Sequence, residues 1–258
     1  MSDIIKYNEW IIIEEHIKYI DSLSNTINEG KIDINGVIKK TIEKCKNLSK
    51  KSVKKILRYT FMFLLAYTTL TNIVDIFKSN EVEQPVIEVV DEVVDDMGFK
   101  DPLQLEVSES GKNLIKEHEQ LRLKAYSIGD GMITIGYGHA ERVKVSKYKI
   151  GDKITEEEAN RLFEEDLREA SDGVDRIFKQ WKKDGKDIKV TQDMYNSLVS
   201  MTFNAGVGNI RKSNFIQHLK SGDYIKAGES IKTFATSKKF GGLEKRRKDE
   251  AKLFLSIF

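Results

Sequence analysis

The sequence predicts an α+β chain, mainly helical, with one small β-hairpin in its C-terminal part and a helical N-terminal region that carries a candidate membrane segment. Three observations predict this. Helix formers are abundant and there are only two prolines, Pro85 and Pro102, so little interrupts a helix. Apolar residues recur mostly at helical spacing. The exception is Ile128 to His139, where glycines at 129, 131, 136 and 138 enclose the run Met132 to Ile135, the pattern of a strand between turns.

A length of 258 residues exceeds one small domain, and a break in composition from Gly98 to Pro102 divides it. Ahead of the break, Ile4, Ile5, Trp10, Ile11, Ile13, Ile17, Ile20 and Leu23 make one amphipathic helix, expected to end near Asn28 and Gly30. Lys39 to Arg58 holds nine basic residues and one acidic one, and the apolar run Tyr59 to Val74 follows directly. A basic flank before an apolar run is the order of a signal-anchor, although sixteen residues are fewer than a comfortable span of about 20. The alternatives are a helix buried in an N-terminal domain and an interfacial helix. From Glu81 to Glu106 the balance reverses to nine acidic residues and one basic one, which reads as a short helix or a solvated spacer. The expected division is residues 1–58 as a basic helical region, 59–77 as a transmembrane or buried helix, 78–102 as an acidic linker, and 103–258 as the main folded domain. The charge asymmetry would place 78–258 across the inner membrane from 1–58, unless a virion partner covers the apolar helix instead.

After the break, Ser108 or Ser110 caps a helix that should end near Glu119. The Asp130-Gly131 pair favours a tight turn, and Met132 to Ile135 supply a strand. Thr155-Glu-Glu-Glu158 is a capping box, and Thr191 and Asp223 can each cap a further helix. A carboxylate at a helix end would then face a polar group on the adjoining hairpin. Hydrolysis of a glycosidic bond needs such a pair: an acid for the leaving oxygen and a second group for water or the oxocarbenium-like state.

At these residues the chain resembles a known family. Glu119-Gln-Leu-Arg-Leu-Lys-Ala-Tyr followed by Thr134-Ile-Gly-Tyr-Gly-His139 is similar to the signature of phage lysozymes of the T4 type. The similarity continues through Leu198 to Gly208 and ends in Gly242-Leu-Glu-Lys-Arg-Arg-Lys-Asp-Glu-Ala-Lys-Leu-Phe254. The resemblance implies a lysozyme-like fold over residues 103–258 and a muramidase acting on the β-1,4 bond between N-acetylmuramic acid and N-acetylglucosamine of bacterial peptidoglycan. It makes Glu119 the general acid and Thr134 the residue that positions the attacking water. The position of the family's aspartate falls on Ile128; the nearest carboxylate is Asp130, a displaced second group or simply a turn former. Tyr137 and Asn204 become candidate sugar contacts, His139 a support for the hairpin, and Arg246 a charge behind Glu119. Trp181 could stack on sugar, with packing as its other use. The implied role is an endolysin or virion-associated lysozyme without a cofactor. The alternative class is a peptidoglycan-binding or structural virion protein of the same fold that has lost turnover.

Composition excludes other classes. A single cysteine, Cys45, forms no intrachain disulfide, and no cysteine–histidine grouping has zinc spacing. The net charge of +2 gives no reason to expect nucleic acid as a partner.

Overall fold

In the computed structural model, residues 2–26, 33–46, 48–65, 70–80, 84–235 and 243–258 are described. The expected helix end at Asn28 and Gly30 and the motif residue Gly242 lie outside them. Five helices come first: α1 (Ser2–Thr26), α2 (Ile34–Cys45), α3 (Lys50–Leu64), α4 (Leu70–Ser79) and α5 (Gln84–Asp96). Helix α3 touches all four of the others. Its inward residues Val53, Ile56, Leu57, Phe61 and Leu64 recur at the 3–4-residue spacing that puts one stripe toward a core. Asp33 caps α2 by accepting from the Gly36 amide.

The structure chooses between the alternatives left open for this region. Among the described residues no helix is long and apolar enough to cross a membrane. The apolar run is divided between α3 and α4, with residues 66–69 outside the described set, and its Phe61, Leu64, Leu65 and Ile73 are buried in the protein core. The acidic stretch, read as a short helix or a solvated spacer, holds helix α5, which buries Val89, Val90, Val93, Val94 and Met97. The segregated charges meet one another: Lys50 lies 2.5 Å from Glu92, and Lys54 lies 3.0 Å from both Glu92 and Asp96. The charge asymmetry that suggested opposite sides of a membrane is thus complementarity between two packed helices. These pairs are solvent-exposed and each adds little stability, about 0–1 kcal/mol. They do set which face of α5 meets α3.

One polar group sits inside this bundle. His16 is 1% exposed. Its Nε2 is 2.9 Å from the Thr60 hydroxyl and 3.5 Å from that of Thr41, while Nδ1 is buried without a partner among the described residues. Burial pushes its pKa down to about 4, with Lys44 and Lys40 acting in the same direction.

The second part begins where the composition breaks. Phe99 is buried and packs on Tyr224 with ring centroids 5.3 Å apart, and Lys100 exchanges two backbone hydrogen bonds with Val190. The sequence then folds into helix α6 (Glu109–Glu119), a three-stranded antiparallel sheet of β1 (Arg122–Tyr126), β2 (Met132–Gly136) and β3 (His139–Arg142), and the long helix α7 (Glu156–Lys183). Helices α8 (Gln192–Ala205), α9 (Val207–Arg211), α10 (Asn214–Lys220), α11 (Tyr224–Ile231) and α12 (Leu243–Phe254) complete it. The expected hairpin is therefore one strand larger. Thr155, Thr191 and Asp223 cap α7, α8 and α11 by accepting amides of the first turn. Ser108 stands at the N-cap of α6 but makes no capping bond; its hydroxyl meets Ser110 and Asn196 instead.

Helix α7 joins the two halves of this domain. Near its start Leu162 packs with Ala125, Ile133 and Ile135 beneath the sheet, in a core separate from the main one. Near its end Trp181 is buried edge-on to Phe178, which gives it a packing role. At 28 residues the helix is about 42 Å long, enough to carry the sheet at one end and the helical half at the other.

Candidate active site

Glu119 is the last residue of α6, and the next residue, Gln120, turns sharply at φ 57°, ψ 135° into β1. Three strand residues alternate in β2: Ile133 and Ile135 point into the small core, so Thr134 belongs to the open face. Thr134 pairs with Ala140 on one side and Tyr126 on the other. The Gly136-Tyr137-Gly138 turn that follows comes back against Glu119. Gly138 has φ +85°, and a Cβ there would lie 3.0 Å from Glu119 Oε2, so both the backbone and the carboxylate require glycine.

The other oxygen of Glu119, Oε1, accepts from Arg246 Nη1 on α12 at 2.5 Å. Arg246 is 3% exposed and is itself fixed: Nε donates to Glu250 Oε1 at 3.0 Å and Nη2 to the Ser200 carbonyl at 3.2 Å. Glu250, fully buried, also takes the Ser200 hydroxyl at 2.7 Å and the Arg247 guanidinium. Arg247 in turn donates to the Phe234 carbonyl at 3.1 Å and to Asn204 Oδ1 at 2.5 Å. A chain of alternating charge thus runs Glu119, Arg246, Glu250, Arg247 through the protein interior. Buried charge persists only when paired and hydrogen-bonded, and here every carboxylate has a guanidinium.

The remaining expected residues fall as follows. Asn204 is exposed at the end of α8, its carbonyl oxygen committed to Arg247 and its amide nitrogen left to donate elsewhere. Tyr137 is half-buried, packed edge-on to Phe163 at 5.5 Å with the Lys116 ammonium 5.0 Å from its ring. His139 sits on β3 with Nδ1 3.0 Å from both carboxylate oxygens of Asp166 on α7, and Nε2 3.4 Å from Glu141. The Asp166 hydrogen bond raises its pKa against the opposing effect of burial. It ties the sheet to α7. Asp130 is exposed in the β1–β2 loop, where its Oδ1 accepts from the Met132 amide at 3.1 Å, an Asx turn. Ile128, on the same loop, is 79% exposed.

A cleft of about 220 Å³ opens beside Gly138, bordered by Ala140 and Asp166 on one side and by Thr202, Phe203 and Val207 on the other. Gly138 is common to this cleft and to the Glu119 pocket. Sequence reasoning missed Glu250, Arg247, Ser200 and Asp166. The spacing Arg246-Arg247-x-x-Glu250 was the available signal, since i+3 and i+4 share a helix face. Asp166 left none, because its partner lies on a distant element.

A carboxylate set at a helix end with a short sheet folded over it, at the side of an open groove, suits acid-assisted cleavage of a polymer that must enter from the side; the class this defines is a glycoside hydrolase of lysozyme architecture. Residues 116–250 match the phage lysozyme family. The endolysin of Bacillus phage B103 is 36% identical over 156 residues, 59% of this chain and 55% of that protein, so the chain spans about half of that relative. The endolysin of Salmonella phage P22 is 31% identical over 156 residues, 59% of this chain and 99% of that protein. Among solved structures, the muramidase domain of SpmX from Asticaccaulis excentricus aligns with a TM-score of 0.50 and 27% identity, covering 59% of this chain and 99% of that one. The chain belongs to the phage lysozyme family, and its C-terminal domain is a lysozyme domain.

Proposed function

We propose that the domain spanning 103–258 hydrolyses the β-1,4 bond between N-acetylmuramic acid and N-acetylglucosamine in peptidoglycan, in an endolysin or virion-associated lysozyme. The observation that carries this reading is the seating of Glu119: one carboxylate oxygen on the buried Arg246 guanidinium, the other against Gly138, which also lines the cleft. In this reading Glu119 gives its proton to the leaving oxygen, and Arg246 stabilises the carboxylate that forms as the proton departs. The hydroxyl of Thr134, which has no partner among the described residues, holds the attacking water on the open face of the sheet. Asn204 offers the glycan an amide donor that has no partner among the described residues, and Tyr137 lines the approach. His139 keeps the sheet on α7, and Asp130 keeps the loop.

Glu119→Gln tests this. The amide keeps shape but has no proton to give, so release of reducing ends from purified peptidoglycan should fall by about 10²–10⁴-fold with the thermal melt of the domain close to wild type. A folded variant with full turnover removes the assignment. The second reading, a peptidoglycan-binding virion component of lysozyme fold without turnover, draws on Ile128, an exposed aliphatic where the family places its aspartate. It predicts no release of reducing ends from the wild-type protein in the same assay.

A further inference from the structure

Seven large apolar side chains are exposed among the described residues, and four of them, Ile128 (79%), Val143 (51%), Val145 (79%) and Ile150 (69%), belong to the sheet and the loop after it. The backbone gathers them. The Val143 amide donates to the Gly131 carbonyl at 2.9 Å, so the segment after β3 lies beside the β1–β2 loop that carries Ile128. The Gly151 amide donates to the Ala125 carbonyl at 2.9 Å, and Lys124 bridges to Lys153, so Ile150 lies along β1 just before the same loop. Along β1 this end of the sheet lies five residues, about 17 Å, from Glu119, and Val145 and Ile150 belong to the segment after β3 rather than to the β1–β2 loop.

The same surface is cationic. Lys124, Arg142, Lys144, Lys147, Lys149 and Lys153 are all exposed. None forms a salt bridge among the described residues, where thirteen other lysine and arginine side chains do. The carboxylates nearby are turned to backbone work: Asp130 accepts from the Met132 amide, Glu141 from the Lys147 amide and Asp152 from the Lys149 amide. Cations and aliphatics therefore project together.

We propose that this end of the sheet docks on an anionic phospholipid bilayer, with Val145 and Ile150 entering the headgroup layer and the surrounding lysines meeting lipid phosphates. Charge complementarity selects among the occupants. A second copy of the surface, where six cations stand beside three carboxylates, would set one net positive patch against another. A soluble phosphodiester polymer satisfies the lysines but gives the aliphatic side chains nothing apolar to enter, whereas an anionic bilayer supplies both. A wall hydrolase held in this way searches for glycan in the plane of the membrane.

The test is sedimentation of the purified full chain with sucrose-loaded vesicles of phosphatidylcholine alone or mixed with phosphatidylglycerol. Binding to the mixed vesicles, loss of it at high salt, and no binding to the neutral ones is the expected result. Each basic side chain at an anionic surface is worth about a factor of five, so Lys144→Glu with Lys149→Glu should weaken binding by at least about 25-fold. Val145→Ser with Ile150→Ser should weaken it by about tenfold, from the apolar area no longer buried, while leaving hydrolysis of soluble glycan fragments unchanged. Absence of binding to anionic vesicles overturns the proposal. So does a serine double variant that binds them like wild type, or equal binding of the wild type and that variant to soluble poly(glycerol phosphate) with the same affinity as to vesicles.

Discussion

The residue after the candidate acid carries backbone strain, and removing that strain gives the sharpest test of how the site is built. Gln120 has φ 57°, ψ 135°; with Ala235 it is one of two non-glycine residues at positive φ among the described residues. At that ψ a side chain is worse placed than in the ordinary left-handed helix region, so the position costs about 1–3 kcal/mol. The side chain is exposed and makes no hydrogen bond among the described residues, so a glycine there loses no contact. Glycine gives back part of the gain through its freer unfolded chain, about 0.5–1 kcal/mol. The net for Gln120→Gly is a stabilisation of about 1 kcal/mol, or roughly 2–4 °C for a domain of this size. Trp181 is buried in the C-terminal domain and the only other tryptophan is Trp10. Urea melts followed by fluorescence in a Trp10→Phe background therefore report this domain alone. Gln120→Ala is the control: it keeps the Cβ, hence the strain, and should melt within about 0.5 kcal/mol of wild type. If the glycine variant is no more stable than wild type and alanine, the strain argument fails and the turn is relaxed.

Three further outcomes are expected. Asp130→Asn keeps the acceptor of the Asx turn and should leave turnover within about twofold; a loss of an order of magnitude would make Asp130 the displaced second catalytic carboxylate. Asp166→Asn should lower the His139 pKa, read by NMR titration, since the Asp166 hydrogen bond is what raises it. A raised pKa means the interaction stabilises fully below the unfolded value of about 6.5 and is lost as pH rises through the folded value, so the stability gap between wild type and variant should narrow with rising pH across that window. His16 has the opposite sign: with its pKa near 4 the buried neutral ring favours folding above about 6.5, and that contribution is lost as pH falls toward 4. The fall corresponds to roughly 3 kcal/mol of bundle stability. Far-UV melts of wild type should show it and those of His16→Leu should not.

The parts of this molecule that were legible in the sequence are the local ones. Thr155, Thr191 and Asp223 mark helix starts because capping is a matter of three or four consecutive residues. Asp130-Gly131 marks a turn for the same reason, and Glu119 ends its helix where the periodicity stops. The third strand was not legible, since His139 to Arg142 has only four residues and alternates too briefly to show a period. In the N-terminal region the sequence could not choose between a membrane span and a buried helix, for a physical reason. A hydropathy window sees Tyr59 to Val74 as one apolar run, and a charge count sees Lys39 to Arg58 and Glu81 to Glu106 as opposed blocks; neither knows that the chain folds back. Once α5 lies on α3, Lys50 and Lys54 meet Glu92 and Asp96, and the apolar residues face inward between them.

The same blindness to folding back hid most of the site. Arg246 was expected behind Glu119 only through the family resemblance; with Arg247 and Glu250 it belongs to a segment dense in charge, and charged side chains are almost never fully buried, so a reading of α12 alone assigns all three to the surface. They are instead 3%, 0% and 0% exposed. What makes this tolerable is a ledger of sign rather than of hydrophobicity: Glu119 and Glu250 bring two negative charges, Arg246 and Arg247 two positive ones, and the four alternate along one hydrogen-bonded path. No member can be desolvated without its neighbours, because a lone buried carboxylate or guanidinium would cost several kcal/mol. Glu119 therefore contributes one of the charges that balance the packing of α12 against α8. The residue proposed to deliver the proton is at the same time the end of the charge chain that lets the last helix close the domain, which is why Glu119→Gln, retaining a hydrogen-bond acceptor for Arg246, separates catalysis from folding where Glu119→Ala would confound them.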